Sequence, residues 1–291
     1  MAATKFALAD PAATGFSDGS RYDKHRPSYS SEAVSKLLTH LNVASVAGAK
    51  VVDLACGTGK FTECLAARPE GFEIVAVEPH DGMREVLQAK QLGGHVKVLN
   101  GDAAHMPIEE AWADVVIAAQ AFHWFATEES LKEIHRVLVP GGAFGMIWNI
   151  EDYNAPKEWE VTSKWEQKLK DIVNEHEDGH TRFRHLAWKQ IFEQQLDTTP
   201  LQTLKDTFAQ NMPKFSLPLG EETLKWTIWL TDEAVWDRYT TLSMIANTKG
   251  AEREQIKKEV TEALKAADVE RNAKGEVAVH GATYMAWTSR I

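Results

Sequence analysis

Short, continuous apolar runs alternate with amphipathic segments over the first half of the chain, and this alternation restricts the possible folds more than any other feature. The runs predict strands at Lys50–Ala55, Phe72–Glu78, Val96–Leu99, Asp114–Ala119 and Ala143–Trp148. The intervening segments predict helices at about Phe61–Ala67, Asp81–Gln91 and Glu128–Val137. Strands that are apolar along their whole length are buried on both faces, so the pattern favours an α/β protein whose parallel sheet is covered by helices on both sides.

The second half of the chain carries a different pattern. Lys157–Val173 is amphipathic, Thr223–Ala246 predicts a long, broken helical region, and Glu252–Ala267 predicts a charged surface helix. Asn174–Arg184 has the composition of a loop. The tail Glu276–Ile291 contains two short β-like runs, and the second run is suited to add a last strand to the sheet. Since neither a repeat nor a flexible linker separates the halves, we expect one domain.

Composition argues against several classes of function. The 291 residues include 32 Lys and Arg against 42 Asp and Glu, a net charge of −10 that disfavours nucleic-acid binding. No run approaches the ~18 apolar residues of a membrane span, and the N-terminus lacks the long apolar stretch of a secretory signal. We therefore expect no membrane association and a cytoplasmic location. Cys56 and Cys64 lack the spacing of a zinc site, so no metal is expected.

The chain is rich in tryptophan, and the overall composition does not explain why. The chain has ten tryptophans, most of them at or after Trp148. The spacing of Trp226, Trp229 and Trp236 predicts that all three lie on one face of a single straight helix. They are interpreted either as the core of the added helices or as walls of a ligand pocket. Trp148, at the carboxyl end of the fifth strand, is the tryptophan that position favours as pocket lining.

The first strand runs into a loop rich in small residues, Asp53-Leu-Ala-Cys-Gly57-Thr-Gly59. Small residues there allow a ligand to approach the backbone, and the following helix offers free N–H groups, which favours a nucleotide-like ligand. The dinucleotide pattern G-x-G-x-x-G fails because its third glycine is replaced by Thr62. A P-loop fails because Phe61 follows Gly59-Lys60. A nicotinamide dehydrogenase is therefore disfavoured.

The spacing that this loop does satisfy, D-x-x-x-G-x-G, resembles the first motif of class I S-adenosylmethionine-dependent methyltransferases. Further segments resemble the later motifs of that family in order: Glu78 at the end of strand two, Gly101-Asp102-Ala103, Gln120–Phe125, and Arg136–Gly142. The resemblance implies a Rossmann-like fold with a mostly parallel seven-stranded sheet, helices on both faces and a helical C-terminal elaboration. It also implies that the seventh strand, near Tyr284–Thr288, is antiparallel to the rest.

By this resemblance the chain binds S-adenosyl-L-methionine and releases S-adenosyl-L-homocysteine. The implied cofactor-binding residues of the core are Asp53, Ala55, Gly57, Thr58, Gly59, Glu78, Pro79, Met83, Asp102, Ala103 and Gln120. The carboxylate of Glu78 is able to accept both hydrogens of a ribose diol. The resemblance implies that Asp102 accepts a hydrogen bond from the exocyclic amine of adenine. Met83 is interpreted equally as a thioether packed on the adenine or as core.

A narrower resemblance concerns the N-terminus. Phe16–Tyr29 resembles the N-terminal cap of the trans-aconitate methyltransferase-like, type 11 subgroup, and so does the pair His123-Trp124. The resemblance implies that Tyr22, Arg26 and Tyr29 fold over the cofactor. We accordingly expect residues 1–30 to form a cap, residues 31–150 the cofactor-binding core, and residues 151–291 an acceptor-side elaboration of the same domain that includes the last strand.

The resemblance places His123 beside the reacting methyl group, where two roles are open. His123 is either a general base that removes an acceptor proton, or a residue that shapes the pocket and donates a hydrogen bond. A carboxylate acceptor is ionised at pH 7 and needs no base. Trp124 and Trp148 are expected to line the acceptor site.

The predicted function is methyl transfer to a small molecule, with O-methylation of a carboxylate or hydroxyl of a small acid or secondary metabolite favoured. Two alternatives stay open: N-methylation of a small amine, and a fold relative that binds the cofactor without transferring the methyl group. The expected partner is a small-molecule acceptor. The sequence leaves the oligomeric state open between monomer and homodimer.

Overall fold

The computed structural model describes residues 28–194 and 213–291. Tyr22 and Arg26, and with them the predicted cap before residue 28, lie outside the described residues. In the part that is described, no helix is long and apolar enough to cross a membrane.

The strands form one seven-stranded sheet in the order β3-β2-β1-β4-β5-β7-β6. Their bounds are β1 Lys50–Leu54, β2 Glu73–Val77, β3 Val96–Leu99, β4 Ala113–Ala119, β5 Leu138–Glu151, β6 Gly220–Leu230 and β7 Val277–Ser289. The first five strands pair in parallel, and β7 pairs antiparallel with both β5 and β6. The predicted α/β fold is confirmed, and so is an antiparallel last strand; the two short β-like runs of the tail form one strand.

The helices are α1 Ser31–His40, α2 Lys60–Ala66, α3 Asp81–Ala89, α4 Glu128–Val137, α5 Lys164–Glu175, α6 Gln190–Glu193, α7 Asp232–Tyr239, α8 Ser243–Ala246 and α9 Gly250–Ala263. Short 3-10 turns lie at Phe122–Trp124, Asp152–Asn154, Phe183–His185 and Ala187–Lys189. Side-chain caps fix several starts: the Thr127 hydroxyl, for example, accepts a hydrogen bond from the backbone N–H of Ser130 in α4. Such a cap stabilises a helix by about 1 kcal/mol.

Two cores cover the two faces of the sheet. Alternate residues of β1 enter different cores, Val51 on one face and Val52 on the other. Helix α1 packs its apolar face on the first of these cores, and α4 packs on the second. A strand buried on both faces is apolar at most of its positions, and this explains why the parallel strands were predictable.

The fifth strand is longer than predicted. We predicted a strand at Ala143–Trp148, whereas β5 begins at Leu138 and reaches Glu151. A register shift between Ala113 and Val115 of β4 accommodates this irregular start. The extra residues at the carboxyl end carry β5 beyond the end of β4.

The prediction of a helical region at Thr223–Ala246 is wrong for its first part, which is the edge strand β6. Side chains in β6 alternate between half-buried and exposed, and Leu224, Trp226 and Ile228 share the half-buried face. Trp229 therefore points to the opposite face from Trp226, and Trp236 lies in α7. The expected single-helix face of three tryptophans does not exist.

Candidate functional site

The loop between β1 and α2 reverses direction through left-handed backbone at Ala55, Gly57 and Gly59, with φ of 56°, 57° and 85°. A Cβ at Gly59 would lie 2.2 Å from Cδ1 of Leu87 in α3, so glycine is required there for packing as well as for conformation. The loop sits at the carboxyl edge of the parallel strands, where ligands bind in open α/β sheets.

Asp53 of β1 connects the strand before this loop to the helix after it. Its side chain is fully buried, and Oδ2 accepts a hydrogen bond of 2.6 Å from the hydroxyl of Thr62 in α2. The other oxygen, Oδ1, is buried without a hydrogen-bond partner among the described residues. Burial raises the pKa of Asp53 to about 7, against the opposing effect of the Thr62 hydrogen bond. An unpaired buried carboxylate oxygen is unfavourable unless a further donor reaches it.

Glu78 directly follows β2 and holds the loop through a hydrogen bond. Its Oε2 accepts a hydrogen bond from the backbone N–H of Gly57, and its Oε1 accepts one from that of His80, both at 2.9 Å. The side chain is buried, which raises its pKa, while the two backbone donors lower it. Each carboxylate oxygen has a second lone pair, so both oxygens remain able to accept a hydrogen from a ligand hydroxyl.

Three further predicted residues flank these groups. Met83 is buried on α3, where a Cβ at Gly57 would lie 3.6 Å from its sulfur, so its thioether faces the loop. Pro79 is half-buried between Glu78 and His80, and Thr58 in the loop is buried. The structure thus brings Met83 and Glu78 to the same glycine, Gly57.

Asp102 and Ala103 form the turn after β3. Oδ1 of Asp102 accepts hydrogen bonds from the backbone N–H groups of Ala104, at 2.8 Å, and His105, at 2.9 Å. Asp102 therefore shapes its own turn through Oδ1, and Ala103 is buried against the core. The predicted adenine contact of Asp102 stays a prediction.

Asn149 is a buried residue of the site that sequence reasoning missed. Gln120, after β4, has a left-handed φ of 59° and donates from Nε2 to the Asn149 carbonyl at 2.7 Å. The Asn149 side chain donates to the Ser28 carbonyl at 3.2 Å and accepts from the Thr283 hydroxyl at 2.6 Å. Asn149 directly follows the apolar run predicted for strand five, and a polar residue at the end of that run was the available signal.

His123 lies in a 3-10 turn after β4, and its ring is held by Trp148. The indole Nε1–H of Trp148 donates to Nδ1 of His123 at 3.1 Å. Trp148 has no exposed surface, because its ring packs at 4.7 Å from Trp188 and 4.9 Å from Phe183, measured between ring centroids. In this structure its side chain contacts His123 and other aromatic rings, and the expectation that Trp148 lines the acceptor site stays a prediction.

The remaining predicted residues have distinct surroundings. Trp124 is half-buried, with the guanidinium of Arg182 at 5.9 Å from its ring centroid. Tyr29 packs edge-on against Phe61 of α2 at 5.0 Å, within the core under α1. In the described ranges, no group of His, Cys, Asp and Glu is arranged to hold a metal ion.

Comparisons with known proteins agree with this geometry. Residues 52–146 match the family model described as a methyltransferase domain. An uncharacterized methyltransferase-like protein of Schizosaccharomyces pombe is 36% identical over 143 residues, 49% of this chain and 51% of the relative. An uncharacterized methyltransferase of Mycobacterium bovis is 40% identical over 131 residues, 45% of this chain and 50% of the relative. The chain thus spans about half the length of these curated relatives.

A solved structure is similar over a greater share of the chain. A candidate type II methyltransferase from Anaeromyxobacter dehalogenans is 21% identical with a TM-score of 0.56, covering 91% of this chain and 97% of that one. At this identity the likeness concerns the fold alone. Together with the strand order, it identifies the class I methyltransferase fold.

Proposed function

We propose that this protein is an S-adenosyl-L-methionine-dependent methyltransferase of the trans-aconitate methyltransferase-like, type 11 subgroup. Its acceptor in this proposal is a small molecule, methylated on an oxygen of a carboxylate or hydroxyl. The observation that carries the proposal is the hydrogen bond between the buried carboxylate of Glu78 and the backbone N–H of Gly57. It lies at the carboxyl edge of the sheet, within the segment that matches a methyltransferase domain.

The residues at this edge fit a cationic cofactor with a ribose. Oδ1 of Asp53 is buried and lacks a donor in the described chain, and an ammonium group would satisfy it. The carboxylate of Glu78 retains lone pairs for ribose hydroxyls, and Met83 offers an apolar, polarizable surface. When bound, S-adenosylmethionine supplies an electrophilic methyl group on a sulfonium sulfur.

The chain's own contribution to the reaction is alignment and exclusion of water. Gln120, His123 and Trp124 follow β4, which lies next to β1 in the sheet. Trp148 donates a hydrogen bond to His123, and its own ring packs against Phe183 and Trp188. Fixed groups of this kind orient an acceptor without reorganising during the reaction.

The activity is tested by turnover with matched panels of small carboxylic acids, alcohols, phenols and amines, with release of S-adenosylhomocysteine as the readout. We expect the wild-type protein to release S-adenosylhomocysteine only when an oxygen acceptor is present. The Glu78→Gln variant should show no such release. Glu73→Gln, which changes an exposed residue at the start of the same strand β2, is the matched control and should retain activity. Release only with amines would contradict O-methylation; cofactor binding without release across the panels would contradict methyl transfer.

A further inference from the structure

The hydrogen bond between Trp148 and His123 determines where the His123 proton lies. An indole nitrogen only donates, so the 3.1 Å contact requires a lone pair on Nδ1 of His123. A neutral imidazole carries a single N–H, and it is therefore on Nε2. Nε2 is then the donor nitrogen of the ring.

The surroundings of Trp148 make this arrangement difficult to change. The indole is fully buried at the carboxyl end of β5, in register with Tyr284 of β7. Rings from Phe183, Trp188 and Tyr284 lie at 4.9, 4.7 and 6.1 Å from it. A buried N–H that loses its partner is costly because water does not replace the bond. Protonation of His123 at Nδ1 would have this effect.

We propose that Trp148 is a positioning residue that fixes His123 as a hydrogen-bond donor, so that His123 orients an already ionised acceptor oxygen and does not remove a proton from it. This inference rests on the proposed function. A general base needs an unshared lone pair directed at the acceptor. The lone pair of His123 is directed at the buried indole, and its other nitrogen already carries a hydrogen.

A His123 that only donates agrees with the carboxylate acceptor of the proposed function. A carboxylate is ionised at pH 7, whereas alcohols, most phenols and ammonium groups keep their proton. In the transfer, the new O–CH3 bond uses an oxygen lone pair, and the electron pair of the broken S–CH3 bond stays on sulfur. With a carboxylate the product is a neutral ester, and no proton needs to be removed.

The proton position is measurable without an acceptor, by long-range 1H–15N NMR of protein labelled in its histidine rings. The signal of His123 is assigned from its absence in His123→Gln. We expect the Nε2–H tautomer at pH 7 in the free protein and in its S-adenosylhomocysteine complex. A Nδ1–H tautomer or a protonated ring would overturn the proposal.

A pair of variants tests the role of Trp148. Trp148→Phe removes the indole donor, and His123 should then become a mixture of tautomers. Trp188→Phe removes a neighbouring buried indole whose N–H has no hydrogen-bond partner in the described chain, and it should leave the His123 signal unchanged. An unchanged tautomer in Trp148→Phe, or an equal change in both variants, would contradict a positioning role. Titration of the same samples with S-adenosylhomocysteine tests the proposed function separately.

Discussion

The carboxylate of Glu78 accepts a 2.9 Å hydrogen bond from the backbone N–H of Gly57, which joins the end of β2 to the loop after β1. The same carboxylate accepts from the N–H of His80, so it holds both the loop and the start of α3. Its side chain thus shapes the site and, in the proposed function, also contacts the cofactor. A comparison of Glu78→Gln with Glu73→Gln, at the start of the same strand β2, separates the effect of Glu78 from that of any carboxylate on this strand.

The glycine loop offers a matched pair of substitutions. Gly59→Ala should destabilise the fold by about 1–3 kcal/mol more than Gly71→Ala, because it adds a clash with Leu87. Both glycines have a positive φ, 85° and 61°, but a Cβ at Gly71 meets nothing within 4 Å. Denaturant unfolding of the two variants measures the difference. Equal losses in the free energy of unfolding would show that the contact of the new Cβ with Leu87 is relieved without loss of stability.

The buried Asp53 predicts a pH dependence of stability. Its pKa is raised to about 7 in the folded protein, so between about pH 4 and 7 the folded state binds more protons than the unfolded state. The contribution of Asp53 to the free energy of unfolding should therefore fall as pH rises, by up to about 1.4 kcal/mol per pH unit. Asp53→Asn should make the decline shallower, leaving the part that the raised pKa of Glu78 contributes, while the exposed Asp171→Asn should follow the wild-type curve. A decline in Asp53→Asn as steep as that of the wild type would contradict the assignment.

A buried ion pair links β5 to the added helices. Arg238 of α7 donates from Nε to Glu151 at 2.6 Å, and both side chains are buried. Arg238→Met would leave the Glu151 carboxylate buried without this partner and should destabilise the fold by about 3 kcal/mol. Lys132→Met breaks the exposed pair with Glu128 and should cost less than about 1 kcal/mol. Similar thermal stabilities of the two variants would show that the buried pair contributes little.

The donor role of His123 has a kinetic consequence with a carboxylate acceptor. His123→Gln supplies an amide donor that is not a base, and it should keep kcat within about tenfold of wild type. His123→Ala removes the donor and should lower kcat by about a hundredfold, the effect of a hydrogen bond to a charged group. His95→Gln, at an exposed turn, serves as control. If His123→Gln were as slow as His123→Ala, the ring would be acting as a base.

The core of the fold was predictable because its signals are local. Strands β1, β2 and β4 are largely buried on both faces and largely apolar, and a loop with Gly57 and Gly59 follows the first. The spacing of Asp53 and Glu78 was enough to predict that both lie at one edge. Their contacts have a tertiary origin, so the second role of Glu78 as a brace for Gly57 was not predictable.

The second half was less predictable because its structure depends on partners distant in sequence. In β6, Leu224, Trp226 and Ile228 alternate as a strand requires, but the spacing of the tryptophans suggested a helix. Edge-strand β6 is defined by its pairing with β7, which no local pattern reveals. The same reason hid Asn149, whose role is set by the distant residues Ser28 and Thr283.

The most direct measurement of the proposed function is calorimetric titration of the full chain with S-adenosylhomocysteine. We predict saturable one-site binding, weakened at least tenfold in Glu78→Gln because an amide nitrogen replaces one of two accepting oxygens. Glu73→Gln should bind like wild type. Absence of binding to wild-type protein at about 1 mM ligand, a very weak affinity, would contradict the proposal. Equal affinity of Glu78→Gln and Glu73→Gln would contradict the assignment of the site.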